Sequence, residues 1–315
     1  MKKTTAKANI NIALCKYWGK ADSVNVYPTT TSISFTLDKF YTITSIESQS
    51  NQQQHTIIIN NQQANELDTL KVTRFLEHFT DNEKVCIRST NFVPTKAGLA
   101  SSASAYASIA KAANKYFDKN YSDERLAKIT RFGSGSAARS IFSNFVKWVA
   151  NTDNIEMIDA PMMDIGMFVL MIDEKSKKIA STQAMELSKN TSWIYDHWVE
   201  RANKQAMDME QAIINNDFHK VGEIAQDNAM SMHMTMMSSA PSIVYFQPKT
   251  IEIMHRLLHL QQTSNQLYFT MDAGPNIKVL IEHKNKEKIQ AQLKDICKGI
   301  DIIYSQPAKG AIIIE

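Results

Sequence analysis

The sequence predicts an α+β fold, because strand-like and helix-like segments are mixed along the chain without a strict β-α-β repeat. Residues 5–17 and 31–48 contain β-branched and alternating stretches typical of strands. After about residue 180 the character changes, and long helix-like segments become prominent. A chain of 315 residues is long enough for two domains. We therefore expect one lobe over residues 1–180 and a second over residues 181–315.

Local composition predicts the other elements of the first lobe. Residues 48–54 are polar and rich in glutamine, and a strand over 56–59 follows them, so they predict a hairpin loop. Asn60-Asn61 is then a turn signal. Ser122-Asp123-Glu124 supplies a cap residue and acidic residues for the first turn of a helix. Further helices are predicted over 67–79 and 103–114, and further strands over 85–92 and 167–172.

The second predicted lobe carries most of the long helices. Two of them are predicted next to each other, over 191–215 and 217–237, and a third over 251–262. The end of the chain alternates between the two kinds of element, with strands over 267–271, 277–281, 300–304 and 311–314 and a helix over 287–297.

The composition excludes several classes of protein. A hydrophobic content of 43% and a charged content of 21% are ordinary for a globular protein. The net charge of +3 is too small to favour nucleic acid as a partner. No apolar run approaches the roughly 18–20 residues that a membrane span needs, and no apolar stretch of the signal-peptide kind follows the charged N-terminus. Cys15, Cys86 and Cys297 lie far apart without a CxxC, which argues against structural disulfides and a zinc cage and favours the cytoplasm.

The most informative segment spans residues 94–105 and links a predicted strand to a predicted helix. Gly98 is followed by alanines and by Ser101, Ser102 and Ser104. Such a segment lets the backbone approach a ligand, and the helix start directs unpaired N–H groups at it, which suits a phosphate. The alternative is a tight turn that packs a helix. The segment is not a Walker A loop, since GxxxxGK[ST] does not occur in the chain.

Three further segments contain candidate binding or catalytic residues. Residues 133–140 form a glycine- and serine-rich turn with Arg139, whose guanidinium could hold a carboxylate or phosphate, or lie in solvent. Residues 268–276 form a strand that ends at Asp272, either a catalytic carboxylate or a cap of the Gly-Pro turn. Residues 11–20 include Tyr17, Trp18 and Lys20, which could equally be core residues and a solvated charge. Only nine glycines occur, and five of them lie in these four segments: Gly19, Gly98, Gly133, Gly135 and Gly274.

Together and in this order, the segments resemble those of the mevalonate diphosphate decarboxylase family, within the GHMP kinase superfamily. The most specific are Tyr-Trp-Gly-Lys at 17–20, Gly-Ser-Gly-Ser-x-x-Arg-Ser from 133, and Phe-Thr-Met-Asp-Ala-Gly-Pro-Asn from 269. A segment around His233, over 232–241, also matches. The resemblance implies a two-lobed fold with the site in the cleft between a ribosomal S5 domain 2-like N-terminal lobe and a ferredoxin-like C-terminal lobe.

The resemblance also implies an activity, in which ATP phosphorylates the 3-hydroxyl of mevalonate 5-diphosphate and loss of phosphate and CO2 gives isopentenyl diphosphate. Asp272 would accept the hydroxyl proton, Arg139 would hold the substrate carboxylate, and Lys20 would hydrogen-bond the reacting region. Mg2+ would bridge the nucleotide phosphates without a dedicated protein cage, and relatives of this kind are commonly homodimers. The remaining implied site residues are Tyr17, Ser134, Gly135, Ser136 and Ser192 for the substrate and Gly98, Ser101, Ser102 and Ser104 for ATP.

The chain departs from the family's pattern in several places. Pro28-Thr29-Thr30-Thr31-Ser32 replaces the Pro-x-Asn-Ser-Ser of many relatives, and Lys96 replaces a small residue found in several of them. Gln183 stands where many bacterial relatives carry arginine, and Trp193 stands where some do. Fewer cationic donors near a diphosphate could weaken its binding, so a related kinase that does not decarboxylate its product is the main alternative. A non-catalytic binding protein would be favoured only if Asp272 and the segment around Gly98 were eroded, and neither is.

Overall fold

The fold is described from a computed structural model. Its described residues are 2–49, 53–80, 82–92, 101–173, 179–264 and 266–315. Within them two main β-sheets and eight α-helices form the molecule. Strands and helices are mixed in sequence, which confirms the predicted α+β class.

The first sheet is built around two long antiparallel strands from the N-terminal part of the chain. Its eight strands are β1 Lys3–Cys15, β4 Ser32–Ser48, β5 Thr56–Ile59, β6 Gln62–Gln63, β7 Val85–Phe92, β8 Phe145–Trp148, β9 Ile155–Met157 and β14 Ile312–Ile313. The order is β14-β1-β4-β7-β5-β6, while β8 pairs with both β4 and β9. A small hairpin, β2 Lys20–Asp22 and β3 Tyr27–Pro28, lies beside this sheet.

Three helices and one 3-10 helix belong to this part of the chain: α1 Glu66–Leu76, α2 Ser101–Tyr116, α3 Asp123–Thr130 and the 3-10 helix Gly135–Ile141. Small residues let α2 pack closely on β1 and β4, and the buried hydroxyls of Ser104 and Ser108 pair with Thr42 and Thr44 of β4 at 2.7 Å each. Ser122 caps α3 as the sequence predicts, since its hydroxyl accepts from the backbone N–H of Arg125.

The second sheet contains β10 Ile165–Met171, β11 Leu267–Met271, β12 Ile277–Glu282 and β13 Asp301–Ser305, in the order β11-β12-β10-β13 with antiparallel pairing throughout. The helices of this part are α4 Ser181–Thr191, α5 Tyr195–Ile214, α6 Phe218–Met237, α7 Pro248–Ser264 and α8 Lys286–Ile296, with a 3-10 turn at His283–Asn285. One face of the sheet packs against apolar side chains of α7 and α8.

The other face of the second sheet joins the first sheet in one core. Leu14 of β1, Phe35 of β4, Val221 of α6 and Leu280 of β12 belong to the same buried cluster. This shared core fixes the end of β1 against the turn that follows β11. Those two chain segments carry the functional side chains described below.

The predicted elements of both halves are largely confirmed, and two differences stand out. Helix α4 was not predicted, and the helix expected from residue 191 begins at Tyr195, because Ser192 and Trp193 separate α4 from α5. The predicted lobe boundary at residue 180 stays a prediction. Strand β10 precedes that boundary but pairs with β12 and β13, whereas β14 follows it and pairs with β1. No described helix is long and apolar enough to cross a bilayer.

Candidate active site

One cavity of about 750 Å3 collects most of the residues that the sequence singled out. Its wall is formed by the end of β1, the start of β2, the 3-10 helix, the N-termini of α2 and α4, and the turn after β11. The predicted site residues that line it are Tyr17, Lys20, Ser101, Ser102, Ser134, Gly135, Ser136, Arg139 and Asp272.

Asp272 lies between two buried lysines. Its Oδ1 accepts a hydrogen bond from Lys16 Nζ at 2.9 Å, and its Oδ2 lies 3.0 Å from Lys278 Nζ. The lysine side chains are only 2% and 1% exposed, whereas the aspartate is 23% exposed and lines the cavity. A turn closed by a bond from Gly274 N–H to the Asp272 carbonyl, at 2.7 Å, orients the residue at the end of β11. The carboxylate therefore faces the cavity on a rigid strand end.

The lysines determine the charge of this carboxylate. Burial acts to raise the pKa of Asp272, but the two ammonium groups outweigh burial and hold that pKa well below its usual range. Burial also lowers the pKa of Lys16, and the attraction of Asp272 opposes this effect. Asp272 is consequently an ionised hydrogen-bond acceptor throughout the neutral pH range.

His233 supports the same residue from α6. Its ring is 2% exposed, and Nε2 lies 3.1 Å from the Asp272 carbonyl oxygen. Burial lowers the pKa of His233 to about 3, and the charge of Lys16 adds to this effect. The imidazole is therefore neutral, and since a carbonyl oxygen only accepts, Nε2 carries the proton. Asn228, one and a half turns earlier on α6, accepts from the Lys16 backbone N–H at 2.8 Å.

Arg139 offers a buried positive charge to the cavity. The 3-10 helix places it there, with Nε donating to Ser34 Oγ at 2.9 Å and one terminal nitrogen donating to Ser32 Oγ at 2.7 Å. Among the described residues no carboxylate forms an ion pair with it. Burial lowers the pKa of Arg139 to about 10, which still leaves it charged near neutral pH. A buried guanidinium held by two neutral hydroxyls is suited to an anionic ligand.

Two helices begin at the cavity wall. Ser101 and Ser102 stand at the N-terminus of α2, and Ser181 and Thr182 stand at that of α4. The hydroxyl of Ser102 lies 3.2 Å from that of Ser134, which lies 3.2 Å from that of Ser136. Hydroxyls and helix N-termini together form a surface suited to phosphate oxygens.

Tyr17 packs closely against residues 133–136, which we call the glycine turn. The ring of Tyr17 stacks on Trp148 with centroids 5.3 Å apart, and its buried hydroxyl has no hydrogen-bond partner among the described residues. A Cβ atom on Gly135 would lie 2.7 Å from that hydroxyl, so only glycine lets the turn approach it. Asn11 holds the same turn by donating to the Ser136 carbonyl at 2.8 Å.

Two of the predicted residues that the structure describes, Ser104 and Ser192, do not line the described cavity. Ser104 is fully buried and pairs with Thr42, away from the wall. Ser192 pairs with Ser238 at 2.7 Å beyond the end of α4, also away from the wall. Gly98 lies outside the described residues. Gln183 and Trp193, the departures from the family that concern the diphosphate, are both exposed, and Trp193 is 81% exposed.

Sequence reasoning missed Lys16 and Lys278, the two direct partners of Asp272. A signal was present, because each lysine lies inside an apolar stretch, Ala-Leu-Cys-Lys-Tyr-Trp and Ile-Lys-Val-Leu-Ile. A charged residue in a buried strand needs a partner of opposite charge. Pairing these lysines with Asp272 nevertheless required the tertiary structure, since Lys16 lies 256 residues away in sequence.

The donors at this cavity fit a magnesium ion that is carried by a nucleotide. No three described His, Cys, Asp or Glu side chains lie close enough to hold a metal. Mg2+ usually keeps several waters and binds phosphate oxygens with few protein ligands. The hydroxyls of Ser101 and Ser102 are hard oxygen donors at a phosphate-binding helix start, so these residues are the ones that would meet such an ion.

Comparison with known proteins identifies the family. A model of the diphosphomevalonate decarboxylase-like N-terminal domain matches residues 8–158, and a model of the mevalonate 5-diphosphate decarboxylase C-terminal domain matches residues 167–310. The diphosphomevalonate decarboxylase of Candida albicans is 30% identical over 318 residues, which cover 93% of this chain and 88% of that protein.

Solved structures agree with this comparison. The crystal structure of mevalonate diphosphate decarboxylase from Staphylococcus aureus has a TM-score of 0.93 and 36% identity, covering 100% of this chain and 98% of that chain. A structure described as MDDEF in complex with MVAPP, AMPPCP and magnesium has a TM-score of 0.92 and 34% identity, with 99% of both chains covered. The chain therefore belongs to the mevalonate diphosphate decarboxylase family and has its two-lobed, GHMP kinase-like α+β fold.

Proposed function

We propose that this protein converts mevalonate 5-diphosphate and ATP into isopentenyl diphosphate, ADP, phosphate and CO2. One observation carries the proposal: a single cavity presents the ionised carboxylate of Asp272, the guanidinium of Arg139, which has no ion-pair partner among the described residues, and two serine-containing sites, the glycine turn and the start of α2. These groups correspond to a hydroxyl acceptor, a carboxylate holder and two phosphate sites. The complex of the similar MDDEF structure with MVAPP, AMPPCP and magnesium supports the same ligands here.

Arg139 is proposed to hold the substrate carboxylate. Its guanidinium is already oriented by Ser32 and Ser34, so binding does not have to order a flexible side chain. The low polarity around a buried arginine strengthens its attraction for an anion. A carboxylate held in this way is fixed in orientation while the C–C bond next to it breaks.

Asp272 is proposed to orient the tertiary 3-hydroxyl and to accept its proton. A carboxylate whose pKa is held well below its usual range is a weak base. In phosphoryl transfer through a loose transition state, the hydroxyl becomes strongly acidic only as the new P–O bond forms. The proton can then pass to Asp272 late in the step, so positioning by this residue contributes more than its basicity.

The second half of the reaction consists of two bond cleavages and the formation of one double bond. The C3–O bond breaks and its electrons leave with phosphate, so positive charge develops at C3. The C1–C2 bond then breaks, its electrons form the C2=C3 double bond, and CO2 leaves. As the phosphate leaves it takes up the proton held by Asp272, so the carboxylate is ionised again and, together with a closed pocket, would stabilise the positive centre, while Lys16 would face the departing phosphate.

The phosphates are proposed to occupy the glycine turn and the start of α2. The substrate diphosphate is assigned to Tyr17, Lys20, Ser134, Gly135 and Ser136, which surround the glycine turn. The nucleotide phosphates are assigned to Ser101 and Ser102 at the start of α2. Magnesium bound to the nucleotide would neutralise phosphate charge there.

The cellular location and the oligomeric state of the enzyme are also proposals. A cytoplasmic location is supported by three cysteines that are all free thiols, two of them buried. A homodimer is expected from the resemblance to the family. Sedimentation of the purified protein tests it, and a monomer at micromolar concentration would contradict it.

A coupled assay tests the proposed reaction. The protein is mixed with ATP, Mg2+ and mevalonate 5-diphosphate, and ADP and CO2 are followed together. Equal release of both is expected. ADP without CO2 would mean a kinase that stops at the 3-phosphate and would direct attention to Gln183 and Trp193. Release of neither product would contradict the proposed substrate.

A further inference from the structure

Lys278 is a buried charge that the reaction has not yet explained. It lies on β12, the strand between β10 and β11, opposite Val169 and Thr270, which are both fully buried. Its side chain is 1% exposed and is not part of the cavity wall. Among the described residues, only Asp272 pairs with its ammonium group. The lysine therefore stands behind the aspartate, on the side away from the ligand.

Burying such a lysine costs free energy. Removing an ammonium group from water is repaid only in part by its ion pair, and a buried ion pair that is replaced as a whole by well-packed apolar residues commonly leaves a protein equally stable. Stability alone thus gives little reason for a charge inside an otherwise apolar strand. The arrangement has a functional consequence instead, because Lys278 binds Oδ2 while Lys16 binds Oδ1.

We propose that Lys278 is a positioning residue, which fixes the rotation of the Asp272 carboxylate and keeps it ionised from behind while Lys16 faces the ligand. The inference rests on the proposed function, since it assigns Lys278 a part in that reaction. Lys278 touches no substrate in this account and acts through Asp272 alone.

Four groups face Asp272 from the elements packed around it. Lys16 comes from the end of β1, Lys278 from β12, the neutral imidazole of His233 from α6, and Arg139 from the 3-10 helix at longer range. Lys16 would be left as the one cation in direct contact if Lys278 were removed. Burial would then raise the pKa of the Asp272 carboxyl with less opposition.

The test compares Lys278→Met with the wild type in two measurements. First, kcat for CO2 release is expected to fall by about tenfold or more while the KM for mevalonate 5-diphosphate changes by less than about threefold. Second, carbon-13 NMR of labelled aspartate follows the Asp272 carboxyl, assigned by its absence in D272N. The pH midpoint of the Asp272 carboxyl titration is expected to be higher in Lys278→Met than in the wild type by about one pH unit or more. Lys278→Gln, a smaller change, is measured in the same way if the methionine variant does not fold.

Two controls separate positioning from a structural effect. Lys147→Met removes another poorly exposed sheet lysine, which is paired with Glu210 at 2.6 Å and does not line the cavity, and should keep kcat within about twofold. In a D272N background, Lys278→Met should cause no further loss of the residual turnover. An equal loss in that background, or an unchanged carboxyl midpoint, would overturn the inference. If the wild type released no CO2, the proposed function would fail, and the NMR midpoint would still decide the role of Lys278.

Discussion

His233 and Asp272 are joined by a hydrogen bond from the imidazole Nε2 to the backbone carbonyl oxygen of Asp272, over 3.1 Å. The imidazole ring of His233 also packs on the ring of Phe246, with ring centroids 4.4 Å apart. A buried histidine thus ties helix α6 to the turn that presents the carboxylate. Loss of this bond would leave the turn less well fixed.

Replacing His233 with phenylalanine keeps an aromatic ring and removes the donor. We expect kcat to fall by about tenfold, because small displacements of a catalytic group are costly, with little change in ATP affinity. His233→Gln can place an amide donor near the position of Nε2 and should recover most of the activity. Steady-state kinetics of both variants provide the test, and equal activities would contradict the role of the hydrogen bond.

The same histidine predicts a dependence of stability on pH. Its pKa is about 3 in the folded protein and near the ordinary 6.5 in the unfolded chain. The unfolded state therefore binds one more proton between these values, so stability is complete above pH 6.5 and is lost as the pH falls. The expected slope is about 1.4 kcal/mol per pH unit.

Urea unfolding between pH 7.5 and 5 measures this effect, with His233→Gln as the control. The difference in unfolding free energy between wild type and variant should shrink steadily below pH 6.5. A difference that stays constant over this range would show that the buried imidazole is not the neutral form.

Asp272→Asn removes the charge while preserving the shape of the side chain. Turnover should fall by about a thousandfold or more, equivalent to roughly 4 kcal/mol of barrier, because an amide cannot take up the proton of the hydroxyl. Binding of ATP, measured by calorimetry, should persist. Near-normal CO2 release from this variant would refute the assigned role.

Arg139→Lys keeps a positive charge and removes the planar pair of donors. A single ammonium group cannot hydrogen-bond both Ser32 and Ser34 and also bind a carboxylate through two parallel hydrogen bonds. We expect kcat/KM for mevalonate 5-diphosphate to fall by about a hundredfold, roughly 3 kcal/mol. A loss confined to KM for ATP would place Arg139 at the nucleotide instead.

Two glycines allow a matched test of packing next to the cavity. Gly19 has a φ of +127°, and a Cβ there would lie 1.7 Å from the Tyr195 hydroxyl, whereas Gly299 has a φ of +78° and open space around it. Gly299→Ala should cost about 1–2 kcal/mol from backbone strain alone. Gly19→Ala should cost clearly more, and thermal unfolding of both variants compares them. Equal costs would mean that the Tyr195 contact relaxes freely.

Sequence patterns were most informative where a segment determines its own structure. The apolar run 267–271 was predicted as a strand and is β11, because five consecutive buried residues of this kind suit a sheet covered on both faces. Helix α4 escaped prediction because only Ala184, Met185 and Ser188 are buried and its N-cap residue, Ala180, makes no side-chain bond. Weak periodicity without a cap leaves little local signal.

For the site, too, the sequence identified some residues but not the contacts between them. Asp272 and Arg139 lie in segments distinctive enough to be singled out, and both line the cavity. The pairing of Asp272 with Lys16 and Lys278 depends on how the two sheets pack, which no local pattern encodes. Ser192 was assigned to the substrate by the family resemblance, and its hydroxyl bonds Ser238 outside the lining of the described cavity. The roles assigned to these residues stay predictions until the variants are measured.

The exchange of strands between the two sheets limits how the chain can be divided. A fragment of residues 1–180 would hold β10 without β12 and β13, and its β1 would lose the partner β14. A fragment of residues 181–315 would lack the strand that joins β12 to β13. Neither piece could complete a sheet alone, so the two should become soluble and active only when expressed together, as complementing fragments of one enzyme.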